Sequence, residues 1–176
     1  MEHDGMDNWS SLGTEGGHVE VVEYRREWAK VFERESAIIL GACHPCVTEV
    51  QHIGSTSVPG LVAKPILDIL PIVVSRGDGE RAVEPMSTIG YRYRGQNEIP
   101  GRFYFDKIVD GRTVVHAHMY PTGHRDPGKL LAFRDYLRAH PDAAEDYARL
   151  KWELAVKYTN DRRMYTDSKA EFVEGV

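Results

Sequence analysis

The spacing of apolar and polar positions changes repeatedly along this chain, and each change predicts an element. Val19-Glu20-Val21-Val22 reads as a short strand or an extended entry segment. Residues 25–41 place Trp28, Val31, Phe32, Ala37 and Ile38 on one face with charges between them, which predicts a helix, and Gly41 suits its end. Val47 to Ile53 has strand character. Residues 65–74 (Pro-Ile-Leu-Asp-Ile-Leu-Pro-Ile-Val-Val) are almost continuously apolar, the pattern of a strand buried on both faces. Residues 79–89 predict a helix stopped by Gly90, and 91–94 a short strand. Two strand-like runs, 102–109 and 112–120, flank Asp110-Gly111, which predicts a two-residue hairpin turn because both central positions take positive φ. Residues 121–127 read as a loop. The remainder reads as helices over 128–139, 142–159 and 161–173, with Pro141-Asp142 at one start and Asp161 capping the last. A helix, a mixed β/α middle and a helical C-terminal third define an α+β fold, a mixed sheet flanked by helices.

Residues 1–17 are polar and Gly-rich and read as a disordered tail with no role in the core, leaving 18–176 as one domain. Composition adds exclusions. No apolar run approaches the roughly 20 residues of a membrane helix, and no signal peptide opens the chain, so the expected location is cytoplasmic. A net charge of -5 argues against broad, sequence-independent nucleic-acid binding, which needs a basic footprint, and leaves room for a local basic patch; the small-molecule or nucleotide ligand expected as partner follows from the motif below. Oligomeric state is not encoded in any pattern here. Cys43-His44-Pro45-Cys46 has the spacing of a redox pair or half a zinc site, but no second Cys pair exists to complete such a site. A helix end broken by Pro45, with incidental thiols, is the favoured reading.

The chemistry concentrates in His52-Ile-Gly54-Ser55-Thr56-Ser57-Val-Pro-Gly-Leu-Val-Ala-Lys64-Pro-Ile-Leu-Asp68-Ile69. Gly54 lets backbone N–H groups approach an anion, Ser55, Thr56 and Ser57 add hydroxyls, and Lys64 adds charge. The spacing is not that of a Walker loop, and a plain hydrogen-bonded turn accounts for the turn taken alone. Asp68 lies inside a buried strand, where a carboxylate needs a partner. An ion pair with Lys64 or an arginine and a role as metal ligand or general base weigh evenly. His116 and His118 are at i and i+2 on a strand and share a face, an arrangement suited to a metal or to proton transfer, and equally to two solvent-facing side chains. His52 ends an earlier strand beside the turn and could converge with Asp68, His116 and His118. Lys151 is a further candidate phosphate ligand. Tyr147/Lys151 and Tyr165/Lys169 are i, i+4 pairs for which amphipathic packing with snorkelling lysines is the favoured account.

The long motif resembles the signature of the GrpB family of bacterial proteins. His116-Ala-His118, Phe133-Arg-Asp-Tyr-Leu-Arg138, Leu150-Lys151 and Tyr165 to Lys169 match the family in order, so the resemblance covers roughly 19–174. It implies a nucleotidyltransferase-like fold, with Gly54-Ser55 as the phosphate-side turn and Asp68 as the first metal-binding acid. Enzymes of that superfamily hold divalent metal with Asp-x-Asp or Asp-x-Glu on this strand, and here the second acid is replaced by Leu70. The expectation is an enzyme or former enzyme acting on a nucleotide or small metabolite. Asp68, His116 and His118 would be its catalytic residues, with Mg²⁺ or a transition metal such as Zn²⁺ on Asp68, His116, His118 and His52. A non-catalytic nucleotide or metabolite binding module, or a biosynthetic transferase or ligase that has reused the pocket, are the alternatives.

Overall fold

Two apolar strands in parallel alignment, β2 (Leu67–Val73) and β5 (Arg112–Pro121), form the middle of a five-stranded sheet. The computed structural model describes residues 9–176. The first strand, β1 (Val47–Ile53), pairs antiparallel with β2, and β5 pairs antiparallel with β4 (Phe103–Val109), which pairs with β3 (Tyr91–Tyr93). The sheet order is therefore β1-β2-β5-β4-β3, a mixed sheet. Strand β2 has neighbours on both edges and is apolar on both faces except at Asp68, as its sequence predicts. The β4–β5 hairpin turns through Asp110 and Gly111 at φ 50° and 75°, the positive pair expected of Asp-Gly.

One face of the sheet carries the main core. Leu67, Ile69, Val73, Val115, Ala117, Met119, Phe103 and Phe105 meet helices α1 (Glu27–Ala42) and α2 (Arg76–Thr88) through Trp28, Val31, Ile39, Ala82 and Met86. Helix α1 buries Trp28, Val31, Glu35 and Ile39, one stripe at helical spacing. The helix continues through Gly41 to Ala42, one residue past its predicted end. Helix α2 starts three residues before its predicted start because Ser75 and Asp78 form a reciprocal capping box. Gly79 in that helix lies against the Phe103 ring, where a Cβ would come within 2.4 Å.

The other face is covered differently. Helix α3 (Arg125–Ala139) packs Leu130 and Leu131 over Ile53, Leu70 and Tyr120. It begins at Arg125, earlier than predicted, because the His124 side chain accepts from the Asp126 amide. Helices α4 (Pro141–Lys157) and α5 (Arg162–Glu174) pack on the entry segment and on the connector between β1 and β2, through Val19, Val21, Val58, Leu61 and Val62. Asp161 caps α5 as expected. The entry segment joins the fold by one bridge, Val22 to Ala63, rather than as a strand.

The expected tail over 1–17 needs correction. Residues 1–8 lie outside the described residues, but 9–17 are part of the fold. Leu12 is buried in the main core, the Gly13 amide donates to the Pro65 carbonyl, Thr14 bridges to Thr113, and the Ser11 carbonyl accepts from Arg25 and from the Trp28 indole. Two apolar residues, Trp9 and Leu12, among many polar ones were enough to anchor the segment. Among the described residues no helix is long and apolar enough to cross a membrane.

Candidate functional site

A cavity of about 220 Å³ lies between the second sheet face and helices α4 and α5. Strand register builds its floor. Asp68 on β2 sits beside His116 on β5, and His116 sits beside Asp106 on β4, with Tyr104 paired to His118 one step along. Side chains at paired positions share a face, so Asp68, His116, His118 and Tyr104 come together across three strands. One wall is Ser55, Thr56 and Lys64 from the connector between β1 and β2. The other is Lys151 of α4 with Arg162, Tyr165, Thr166 and Lys169 of α5, one side of that helix.

The turn at Gly54 fits against Asp68. Gly54 has φ 69° and ψ -173°, a conformation open essentially to glycine alone, and a Cβ there would meet Asp68 Oδ2 at 2.8 Å. Ser55 and Thr56 face the cavity, whereas the Ser57 hydroxyl donates to the Gly54 carbonyl and serves the turn itself. Helix α3 holds the turn from outside. Arg138 donates twice to the Ser57 carbonyl at 2.7 and 3.0 Å, and Arg134 donates to Gln51 Oε1 and the His52 carbonyl at 2.9 and 3.0 Å. The conspicuous Phe133-to-Arg138 segment thus shapes the turn rather than the cavity.

His52 does not join Asp68. It pairs with Ile69, whose side chain belongs to the core face, and its ring stacks on Phe32 of α1 at 4.6 Å between centroids. Its Nε2 contacts Thr56 Oγ1 at 2.9 Å, so it props the turn from behind. Burial pushes its pKa down to about 4 despite Asp68, which leaves it neutral. The period of two along a strand, which put His116 and His118 on one face, puts His52 on the opposite face from Asp68.

The histidines are fixed by arginines. Arginine can only donate, so Arg162 Nη2 at 3.3 Å makes His116 Nε2 an acceptor and leaves the proton on Nδ1, which faces Asp68 Oδ1 at 3.6 Å. Arg102 Nη1 lies 3.2 Å from His118 Nδ1 in the same way, and His118 Nε2 donates to Asp68 Oδ1 at 3.2 Å. Arg102 is itself held by the carbonyls of Gln96 and Asn97. Burial alone would raise the Asp68 pKa, but hydrogen bonds from His116 and His118 outweigh it and hold the carboxylate well below its usual range. Burial lowers the His116 pKa against the pull of Asp68.

Positive charge dominates the walls. Burial, then Lys169 and Arg162, push Lys64 down to about 7. Burial brings Lys169 to about 8, with Asp68 opposing and Arg162 adding to it. Lys151 is 2 % exposed and falls well below its ordinary value through burial, then through Lys169 and Lys64, and it donates to the Val62 carbonyl. The Tyr165 ring lies between Lys64 and Lys169, 5.3 and 4.4 Å from its centroid, and its buried hydroxyl has no hydrogen-bond partner among the described residues. The lysines do not snorkel to open solvent as the packing account of these helices expects. They turn inward. Arg102, Tyr104 and Arg162 were not singled out as site residues by sequence reasoning, and Lys169 was read as a packing partner of Tyr165. The spacing Arg162, Tyr165, Lys169 was the signal, because it places two cations on one side of a helix with an aromatic between them.

These residues do not fit a divalent metal. Mg²⁺ requires several oxygen ligands, and among the described residues Asp68 is the one carboxylate lining the cavity. Metal-bound histidines direct their free N–H to a carboxylate or carbonyl. Both imidazoles do face Asp68 with an N–H, but the bare nitrogen that would have to hold the metal faces an arginine instead. Among the described residues no group of three or more His, Cys, Asp and Glu side chains is placed to hold a metal. Leu70, the position to which the resemblance assigns a second acid, is fully buried against Ile53 and Tyr120.

The architecture defines the class first. A mixed sheet with an acid on an inner strand after a Gly-Ser turn fits the nucleotidyltransferase-like fold. The Cid1 poly(U) polymerase with Mg 3'-dATP bound superposes with a TM-score of 0.54 at 11% identity, over 82% of this chain and 48% of that one. The crystal structure of the conserved protein GrpB from Enterococcus faecalis superposes with a TM-score of 0.82 at 34% identity, over 89% of this chain and 93% of that one. A sequence model of the GrpB protein family matches residues 18–176, and the chain belongs to the GrpB family. The glutamate-rich protein GrpB of Alkalihalophilus pseudofirmus is 32% identical over 94% of this chain and 97% of its own length. The UPF0157 protein YqkA of Bacillus subtilis is 40% identical over 89% of this chain, and the chain spans 45% of YqkA.

Proposed function

We propose that this cavity binds the phosphoryl end of a nucleotide or phosphorylated small metabolite, and that the protein is a transferase acting on it. One observation carries the reading: Lys64, Lys151, Arg162 and Lys169 converge around Asp68, the one carboxylate that lines the cavity among the described residues. Burying several cations together with one anion is unfavourable unless a further anion joins them. A phosphoryl group between the two walls supplies that charge, and Ser55 and Thr56 offer it hydroxyls.

In such a transfer Asp68, ionised and aligned by two imidazoles, accepts the proton of the attacking hydroxyl. That oxygen forms the new P–O bond, the P–O bond to the leaving group breaks, and the lysines neutralise the phosphate that departs. The likeness to Cid1 supports the fold for this chemistry and nothing finer. Replacement of the second acid by Leu70 favours a second reading, a binding module that has kept the anion site without turnover.

A thermal-shift screen of nucleoside triphosphates, pyrophosphate and phosphorylated sugars tests the pocket. We expect several degrees of stabilisation by at least one of them at concentrations well above its Kd. Asp68→Asn should retain that shift. Turnover of the stabilising compound by the wild-type chain, lost in Asp68→Asn, identifies the transferase; binding without turnover identifies the module. No shift with any phosphorylated compound rejects the reading.

A further inference from the structure

The cavity lacks metal-binding character at the place where its fold class uses metal, and it has cations instead. Asp68 by itself is a poor site for a metal ion. Oδ1 accepts from His118 Nε2 at 3.2 Å and faces His116 Nδ1 at 3.6 Å, and Oδ2 lies against the Gly54 backbone, where a Cβ would be only 2.8 Å away. Asp106, the next carboxylate along the floor, is occupied by Arg92 at 2.8 Å and Arg94 at 3.8 Å. Facing Asp68 are Lys64, Lys169 and Arg162, with Lys151 behind them.

We propose that these cations take the place of the metal ions, so that the pocket takes a compact polyphosphate as the metal-free anion rather than as its magnesium complex. This rests on the phosphoryl-binding reading above. Two further observations point to the ligand. Tyr165 lines the cavity with its ring beside both lysines, and its buried hydroxyl, without a partner among the described residues, is left to pair with a bound phosphate oxygen. The cavity of about 220 Å³ falls below the roughly 300–1,000 Å³ of pockets that enclose a whole drug-sized ligand. It suits a diphosphate or the phosphate tail of a larger molecule whose remainder stays outside. A magnesium ion on such a tail would cancel the charge that the lysines recognise and would itself face them at close range.

Calorimetric titration of the full chain with pyrophosphate, first in EDTA and then with excess Mg²⁺, tests this. We expect binding in EDTA, weakened at least about tenfold by Mg²⁺. In EDTA, Lys169→Met should weaken binding about tenfold or more, the scale of one lost charge-assisted contact, with the far-ultraviolet circular dichroism unchanged. Tyr165→Phe should weaken it about threefold to tenfold with the same fold signature. Binding that requires Mg²⁺ overturns the metal-free inference and leaves the phosphoryl pocket standing. Binding in EDTA that is indifferent to Lys169→Met and Tyr165→Phe places the anion elsewhere and overturns the assignment to this cavity. No binding of pyrophosphate in either condition overturns this inference, and the phosphoryl reading falls with it only if the thermal-shift screen is blank as well.

Discussion

Gly54 and Lys64 show how single positions hold this pocket. Gly54 combines a backbone conformation that side chains avoid with a carboxylate where its Cβ would stand. Gly54→Ala should therefore lower unfolding stability by about 1–3 kcal/mol, seen as a reduced urea midpoint at unchanged m-value, and should displace Asp68. Lys64 is held down to about 7 by burial and by Lys169 and Arg162, with Asp68 pulling the other way. Its ordinary value is 10.5, so above about pH 7 the unfolded chain keeps a proton that the folded chain has released. Its destabilising effect is fully present below that pH and fades toward pH 10.5. Comparing Tm of the free wild type with Lys64→Met should show the variant ahead at pH 7 and the gap closing as pH rises. A constant gap would mean that Lys64 keeps its ordinary pKa. Asp68 and the Gly-Ser turn were legible in the sequence because unusual residues stood in a regular pattern. Arg102 and Arg162 were not, since the contacts that fix the two imidazoles span 16 and 46 residues of chain.

At the scale of elements, pattern served well for the central strands and the β4–β5 hairpin, where burial on two faces and an Asp-Gly turn leave few alternatives. It served less well at helix starts, where side-chain caps at Ser75 and His124 override hydrophobic spacing. Helix α1 contains a further device that periodicity hid. Glu35 lies in its buried stripe at 1 % exposure, accepts from the Tyr91 hydroxyl at 2.6 Å, and pairs with Lys107 at 2.9 Å. That junction fixes α1 to β3 and β4 on the core face. Glu35→Ala leaves Lys107 without its charge partner and should cost about 3–5 kcal/mol in denaturant unfolding. Anion affinity of the folded variant should stay as in the wild type, because the cavity lies across the sheet. A parallel loss of affinity would show that the two faces are coupled.

For the whole molecule, the sheet separates two tasks. One face packs helices α1 and α2 into a continuous apolar core, and the other leaves space under α4 and α5 for charge. The α+β class followed from element order, but the position of the last two helices did not. They reach the sheet through the connector at Val58, Leu61 and Val62, an irregular segment whose packing carries no periodic signal. This arrangement also governs when the pocket comes into being. His118 and Asp68 are separated by 50 residues, and Lys151 and Val62 by 89. Such distant pairings form only as the whole chain orders. No local fragment, partly folded intermediate or nascent segment short of α5 holds the charges together. A pocket-bound anion would thus act as a thermodynamic proofreader, weighting only chains whose assembly is finished.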